Sequence, residues 1–185
     1  DHDFKHLQKS HNWDFILDTI IELLKDIEIV VVNNSRKSEK LEYEKFKKEG
    51  RKIIIIGDHG HDEVIGIASQ IPDPVIVASV EEAEALRKTK KAGVVTQSTQ
   101  TIENVQDIIN ILMTKVFDLR FVNTICFPTK RNQEQIKELS EVTDLMIIIG
   151  SFTSANSKRL AELSSVRNKN TFQVTCAAEI NSSWF

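Results

Sequence analysis

The chain has 185 residues, 41% of them hydrophobic, which is enough to bury a core in one large domain or two small ones. Its formal net charge is −3 and its sequence pI is about 6.0, so it lacks the basic balance expected of a general nucleic-acid-binding protein. Two cysteines, no signal peptide and no apolar run of membrane-spanning length predict a cytoplasmic protein (or one of a plastid-type organelle, if eukaryotic) that binds neither nucleic acid nor a membrane.

Short apolar runs alternate with segments of helical spacing along the whole chain. The pattern predicts, in chain order, a helix over 14–25, strand 27–32, helix 38–48, strand 52–56, helix 61–70, strand 74–78, helix 80–88, strand 93–96, helix 101–116, strand 119–125, helix 129–139, strand 144–149, helix 154–164 and strand 171–174. Thr101, Thr129 and Ser154 are predicted helix N-caps. Apolar strands separated by helices indicate small parallel sheets covered on both faces, so the predicted fold class is α/β.

Polar loops follow four of the predicted strands. They cover residues 57–63, 96–99, 123–126 and 150–156, and they offer hydroxyl, amide and imidazole groups beside helix starts. Loops at the carboxyl ends of parallel strands line the ligand crevice, and helix N-termini bind anions such as phosphate. None of these loops is a Walker or dinucleotide glycine loop, and each alone also fits an ordinary helix cap. Together they indicate a binding site.

Cys126 stands at the end of an apolar run, immediately before a polar helix start. A thiolate in that place is a candidate metal ligand or nucleophile. The alternative is a half-buried structural cysteine, which is the common role of a lone cysteine. Cys176 is predicted to be a small packing residue.

Four motifs decide between these alternatives. They are IIGDxGHxEVxG over 55–66, VxTQxT over 94–99, NTIC followed by RxQ over 123–133, and DLMIxIGS with SxNxxRLAE over 144–162. In their order and spacing the chain resembles the LytB/IspH family, the 4-hydroxy-3-methylbut-2-enyl diphosphate reductases of the non-mevalonate isoprenoid pathway. The resemblance covers nearly the whole chain. An unrelated flavodoxin-like domain would carry all four motifs only by coincidence.

The resemblance implies a three-lobed α/β protein that holds a [4Fe–4S] cluster on three cysteines, one per lobe. The open fourth iron of that family binds the substrate hydroxyl, which leaves as water. The electrons come from a donor such as ferredoxin or flavodoxin, and the products are isopentenyl and dimethylallyl diphosphate. By this likeness, 1–33 would be the end of the first lobe, 34–118 the second lobe, and 119–185 a third lobe that is incomplete at its C-terminus.

The resemblance also implies roles for individual residues. Cys126 would be the cluster ligand of the third lobe, and Glu63 the proton donor. Ser98 stands where the family usually has a threonine near that glutamate. The residues that would hold the diphosphate are His11, His61, Ser154 and Asn156.

The chain departs from the family pattern at several positions. Asn33 stands where the family has its middle cysteine, and Ala155 replaces a serine. The first cysteine segment and a C-terminal serine loop are not in this sequence. One cysteine cannot hold a cubane cluster. The expectation is therefore a reductase represented by an inactive fragment, or else a non-catalytic, cluster-less relative that binds diphosphate.

Overall fold

A computed structural model describes residues 42–185 of the chain. These residues belong to one compact unit, Asn34–Phe185. The predicted helix 14–25 and strand 27–32 lie outside the described residues, as do His11 and Asn33. Within the described range, no helix is long and apolar enough to cross a membrane.

Six strands and five helices follow a helical stretch over 42–48. In order they are β1 (Lys52–Ile56), α1 (Asp62–Ala68), β2 (Val75–Val77), α2 (Val80–Ala85), β3 (Thr89–Thr96), α3 (Ile102–Lys115), β4 (Val116–Phe121), α4 (Phe127–Val142), β5 (Met146–Ile149), α5 (Ala155–Ser165) and β6 (Thr171–Val174). Two short 3₁₀ turns close the chain, at Ala177–Glu179 and Ser182–Trp184.

Strands β1 to β4 form one parallel sheet in the order β2-β1-β3-β4, with Ile54 opposite Val94 in the central pair. Successive side chains of a strand point to opposite faces, so β1 contributes to two cores. Ile54 and Ile56 pack with α2 and α3, whereas Ile53 and Ile55 pack with α1 and the helical stretch over 42–48. The four isoleucines explain why this strand is buried on both faces.

Strands β5 and β6 form a second, two-stranded parallel sheet. Helix α5 packs against both of its strands and against α4. All the strand pairs of the described range are parallel, and helices flank the sheets. The predicted α/β class is therefore confirmed.

Several predicted boundaries were wrong. β3 begins at Thr89, four residues before its predicted start, and the helix predicted to end at residue 88 ends at Ala85. Two further errors lie nearer the carboxyl edge of the sheet. The strand predicted over 119–125 runs over Val116–Phe121 and begins where α3 ends. The chain leaves the ladder after Val122 because the Thr124 hydroxyl bonds the backbone of Thr96, accepting from its N at 2.8 Å and donating to its O at 2.6 Å. The second error concerns Thr129, because α4 begins earlier and has Cys126 as its N-cap. Proline fits the first turn of a helix, and one stands there in α4.

Strand β4 pairs with β3, so the first sheet extends past the boundary predicted between residues 118 and 119. The division of the chain into lobes stays a prediction. The caps at Thr101 and Ser154 are confirmed, since each side chain accepts a hydrogen bond from a backbone N–H of its helix.

Alanine at Gly93 is expected to destabilise the fold. A Cβ built at Gly93 would lie 2.2 Å from the nearest ring carbon of Phe46, a residue with no exposed surface. Overpacking of this kind costs about 1–3 kcal/mol of unfolding free energy. Gly66→Ala is the matched control, because Gly66 lies inside α1 with nothing within 4 Å of its Cβ position. The unfolding free energy of Gly66→Ala should rise by about 0.5–1 kcal/mol, because alanine has the higher helix propensity. Urea unfolding measures both, and equal stability of the two variants would contradict the packing assignment.

Candidate functional site

The loops after β1, β3 and β4 meet at the carboxyl edge of the first sheet, and Ser98 joins them. Its backbone N donates to Glu63 Oε1 at 2.7 Å, and its Oγ donates to Glu63 Oε2 at 2.9 Å. On its other side, the carbonyl oxygen of Ser98 accepts from the backbone N of Cys126 at 3.0 Å. The structure thus brings together three of the predicted site residues, Glu63, Ser98 and Cys126.

Glu63 lies in the first turn of α1, and His61 is the N-cap of that helix. The His61 Nδ1 accepts from the backbone N of Glu63 at 3.2 Å. An imidazole nitrogen that accepts a hydrogen bond carries no proton, so Nε2 carries it. The cap therefore orients His61 with a donor available at Nε2 and also places Glu63 at the helix start.

Cys126 is half-buried at the N-terminus of α4. Its Sγ lies 2.8 Å from the hydroxyl of Thr129, which is buried in the first turn. Helix N-termini carry positive partial charge and unpaired N–H groups, so a negatively charged ligand is favoured at this end of α4.

Ser154 and Asn156 lie at the N-terminus of α5, beside the second sheet. The Ser154 Oγ caps the helix by accepting from the backbone N of Ser157 at 3.3 Å. Asn156 is the second residue of the helix and is half-buried. One turn later, Arg159 contacts the loops after β1 and β3, so this helix adjoins the edge that carries Glu63 and Ser98.

Sequence analysis assigned no role to Arg159 or Asp58, although both residues belong to the four motifs that carry the family resemblance. Arg159 NH2 donates to both carboxylate oxygens of Asp58, at 2.7 and 2.6 Å, and NH1 lies 3.4 Å from Thr99 Oγ1. Asp58 is the second residue after β1, and Thr99 directly follows Ser98. The motifs signalled that the two residues belong to the site, but no local pattern indicated that they pair.

Three buried glutamine side chains hold these loops in place through hydrogen bonds. Sequence analysis did not predict this role for them. Gln97, which has no exposed surface, accepts from the backbone N of Asp58 at 2.8 Å and donates to Thr99 Oγ1 at 2.8 Å. Gln100 donates to Asp58 Oδ1 at 3.2 Å, and Gln133 donates to the Gln100 carbonyl at 2.9 Å. Buried polar groups are usually hydrogen-bonded, and these bonds tie α4 to both loops.

The Asp58–Arg159 pair is expected to make stability depend on pH. Burial acts to raise the pKa of Asp58, but the hydrogen bonds and charge of Arg159, with the hydrogen bonds of Gln97 and Gln100, together outweigh burial and hold that pKa below 3.8. The folded pKa is therefore lower than the unfolded one, and the pair stabilises the fold above pH 3.8. That stabilisation is lost as the pH falls through the folded pKa.

Urea unfolding of the natural chain and of Asp58→Asn between about pH 6 and about pH 2.5 measures this contribution. The two unfolding free energies should differ at the upper end and converge at the lower end. A difference that stays constant across the range would show that the Asp58 charge does not stabilise the fold.

The described residues do not complete a cluster site. Between residues 42 and 185, no group of three or more His, Cys, Asp or Glu side chains could hold a metal ion. Cys126 offers one thiol at the candidate site, and Cys176 is exposed at the N-cap of a 3₁₀ turn. A [4Fe–4S] cluster held on three or four cysteines needs more thiolates than Cys126 alone supplies.

Comparison with known proteins identifies relatives over most of the chain. The family model described as LytB protein matches residues 28–185. The 4-hydroxy-3-methylbut-2-enyl diphosphate reductase of Geobacter sulfurreducens is 40% identical over 142 residues, which are 76% of this chain and 50% of that protein. The enzyme of the same name from Geotalea uraniireducens is 39% identical over 143 residues, 77% of this chain and 51% of that protein. The chain thus spans about half the length of these relatives.

Two solved structures share the fold. The diphosphate reductase from Plasmodium falciparum superposes with a TM-score of 0.75 at 27% identity, covering 89% of this chain and 54% of that one. A second structure, of an (E)-4-hydroxy-3-methyl-but-2-enyl diphosphate reductase, gives a TM-score of 0.52 at 30% identity, covering 82% of this chain and 55% of that one.

Proposed function

Because this chain belongs to the LytB family, we propose that it takes part in the reductive dehydroxylation of 4-hydroxy-3-methylbut-2-enyl diphosphate. Membership confirms the resemblance carried by the four motifs. In the proposed reaction the allylic hydroxyl leaves as water, with two electrons and protons supplied, and isopentenyl and dimethylallyl diphosphate are formed. The observation that carries the proposal is the junction at Ser98, where a carboxylate and a cysteine are tied to the same residue.

Glu63 is the proposed proton donor to the leaving hydroxyl. A carboxyl group suits this step when it is held within hydrogen-bonding reach of the substrate oxygen. Two hydrogen bonds from Ser98 restrict the Glu63 side chain to one orientation. Ser98 thus acts on Glu63 by positioning it and retains the hydroxyl group that the family's usual threonine would supply.

The N-terminus of α5 is the proposed diphosphate site. Unpaired backbone N–H groups at a helix start bind phosphate oxygens, and Asn156 adds a side-chain amide there. His61 would donate from Nε2, because its Nδ1 is occupied by the helix cap. His11 belongs to the same proposal by the motif resemblance alone, since it lies outside the described residues.

Cys126 is the proposed cluster ligand within the described range. The 185 residues contain no cysteine besides Cys126 and the exposed Cys176, so the remaining thiolates would have to come from outside this sequence, and electrons from a donor such as ferredoxin or flavodoxin. A second candidate function is a cluster-less relative that binds diphosphate without reducing it. Asn33 favours this candidate, because it stands at the position of a family cysteine and an amide is not a thiolate ligand.

Anaerobic iron–sulfur reconstitution tests the two candidates. Iron and sulfide are counted per chain, and pyrophosphate binding is measured on the same preparation by calorimetry. About four irons per chain with pyrophosphate binding would support the reductase, since a cubane holds four. Pyrophosphate binding without stable iron would support the cluster-less relative. Absence of both would contradict the proposed function.

A further inference from the structure

We propose that Arg159 is a positioning residue, which clamps the helix of the diphosphate site onto the two loops that carry Glu63 and Ser98. This inference rests on the proposed function, because it concerns how the two halves of that site are held together. Glu63 and Ser98 follow strands of the first sheet, whereas Ser154 and Asn156 lie at the start of a helix that packs on the second sheet. Arg159 is the side chain that bridges them.

The Arg159 side chain is mostly buried and has polar partners on both loops. The Arg159 side chain is only 11% exposed, and its NH2 group lies 2.6 and 2.7 Å from the two oxygens of Asp58. Its NH1 group faces the hydroxyl of Thr99 at 3.4 Å. The charge-assisted contacts of NH2 with Asp58 and the direction of NH1 toward Thr99 together fix the orientation of the planar guanidinium. One side chain therefore holds the loop after β1 and the loop after β3 at the same time.

Asp58 and Thr99, the two residues that Arg159 contacts, both lie next to the Glu63–Ser98 contact. Thr99 follows Ser98 in the chain, and Ser98 makes both hydrogen bonds to Glu63. The Asp58 backbone N bonds to the buried Gln97, which also bonds Thr99. Movement of Arg159 would therefore be passed to Ser98 through two neighbours of that residue.

The other end of the clamp reaches the diphosphate site. Arg159 lies three residues after Asn156 in α5, and residues at that spacing share one face of a helix. Holding Arg159 against Asp58 thus turns the face that carries Asn156 toward the carboxyl edge of the first sheet. The same pairing neutralises the guanidinium, so Arg159 acts on the diphosphate through placement of α5 and not as a phosphate ligand.

Hydrogen–deuterium exchange on the whole chain tests the clamp without requiring activity. The variants are Asp58→Asn, Arg159→Gln and the double variant. Each single change should speed amide exchange at residues 97–99 and in the first turn of α5 by about tenfold, the scale of a coupled contact pair. The double variant should be little faster than either single one, because both remove the same contact. Additive effects, or unchanged exchange at 97–99, would overturn the proposal.

Two further variants separate loss of the Arg159 contact from the general effect of removing an arginine. Arg167→Gln is the matched control, since Arg167 pairs with Glu141 at 3.5 Å and donates to the Leu163 carbonyl, not to Asp58 or Thr99. It should leave exchange at residues 97–99 unchanged, and a change there equal to that of Arg159→Gln would overturn the proposal. Arg159→Lys keeps the charge but not the planar fork, and should fall between the natural chain and Arg159→Gln. If Arg159→Gln does not fold, the lysine variant carries the comparison.

Pyrophosphate affinity separates a clamp from a direct ligand. A clamp predicts that Asp58→Asn and Arg159→Gln weaken binding by similar factors, about tenfold, with no further loss in the double variant. A direct ligand predicts that Arg159→Gln abolishes binding while Asp58→Asn preserves or tightens it, and that result would overturn the proposal. If the natural chain binds no pyrophosphate, the proposed function fails, while the exchange measurements still decide whether the clamp exists.

Discussion

Replacement of Cys126 by alanine is expected to reduce to background whatever iron the natural chain holds after anaerobic reconstitution. Alanine has no atom that can bind iron in place of the thiolate. Cys126 is the cysteine that lies at the site formed by Glu63 and Ser98. Cys176→Ala is the matched control, because Cys176 is exposed at a 3₁₀ turn and is not part of the site. That variant should hold as much iron as the natural chain. Iron and sulfide are counted per folded chain.

The fold should survive the change at Cys126. The bond from its backbone N to the Ser98 carbonyl does not involve the side chain, and only the contact of Sγ with Thr129 is lost. Loss of iron with retained unfolding stability would therefore report on the ligand itself. Full iron in Cys126→Ala, or loss of iron in Cys176→Ala, would contradict the ligand assignment.

In a preparation that holds iron and turns over, Glu63→Gln is expected to leave the structure and the bound iron in place while removing turnover. Its amide oxygen can still accept from the Ser98 backbone N, so the side chain stays anchored, but an amide cannot supply the proton. Removal of a general acid typically lowers a rate by about 10²–10⁴-fold. Reductase turnover of the reconstituted protein with a chemical electron donor measures the effect.

Asp62→Asn is the control for the change at Glu63. It makes the same carboxylate-to-amide exchange one residue earlier, at an exposed position of the same helix turn. Its turnover should match that of the natural chain. Comparable losses in both variants would show that charge in this turn matters in general, and that Glu63 has no special role as the acid.

The regular elements could be predicted wherever one local pattern dominated. The strands Lys52–Ile56 and Thr171–Val174 occur where the apolar runs predicted them, and Thr101 and Ser154 cap their helices as expected. β4 could not be predicted in this way. It is an edge strand with one buried residue, Val116, and its end is decided by hydrogen bonds between Thr124 and Thr96 on another strand.

The sequence by itself determined the α/β class, the family, and the loops from which the site is built, because these follow from local periodicity and from motifs of consecutive residues. Only the tertiary structure decided how the loops meet. Ser98 joins Glu63, 35 residues earlier, and Asp58 pairs with Arg159 across 101 residues. Such pairs depend on how α5 packs against its neighbours and on the buried glutamines beneath the loops, and no local pattern records that packing.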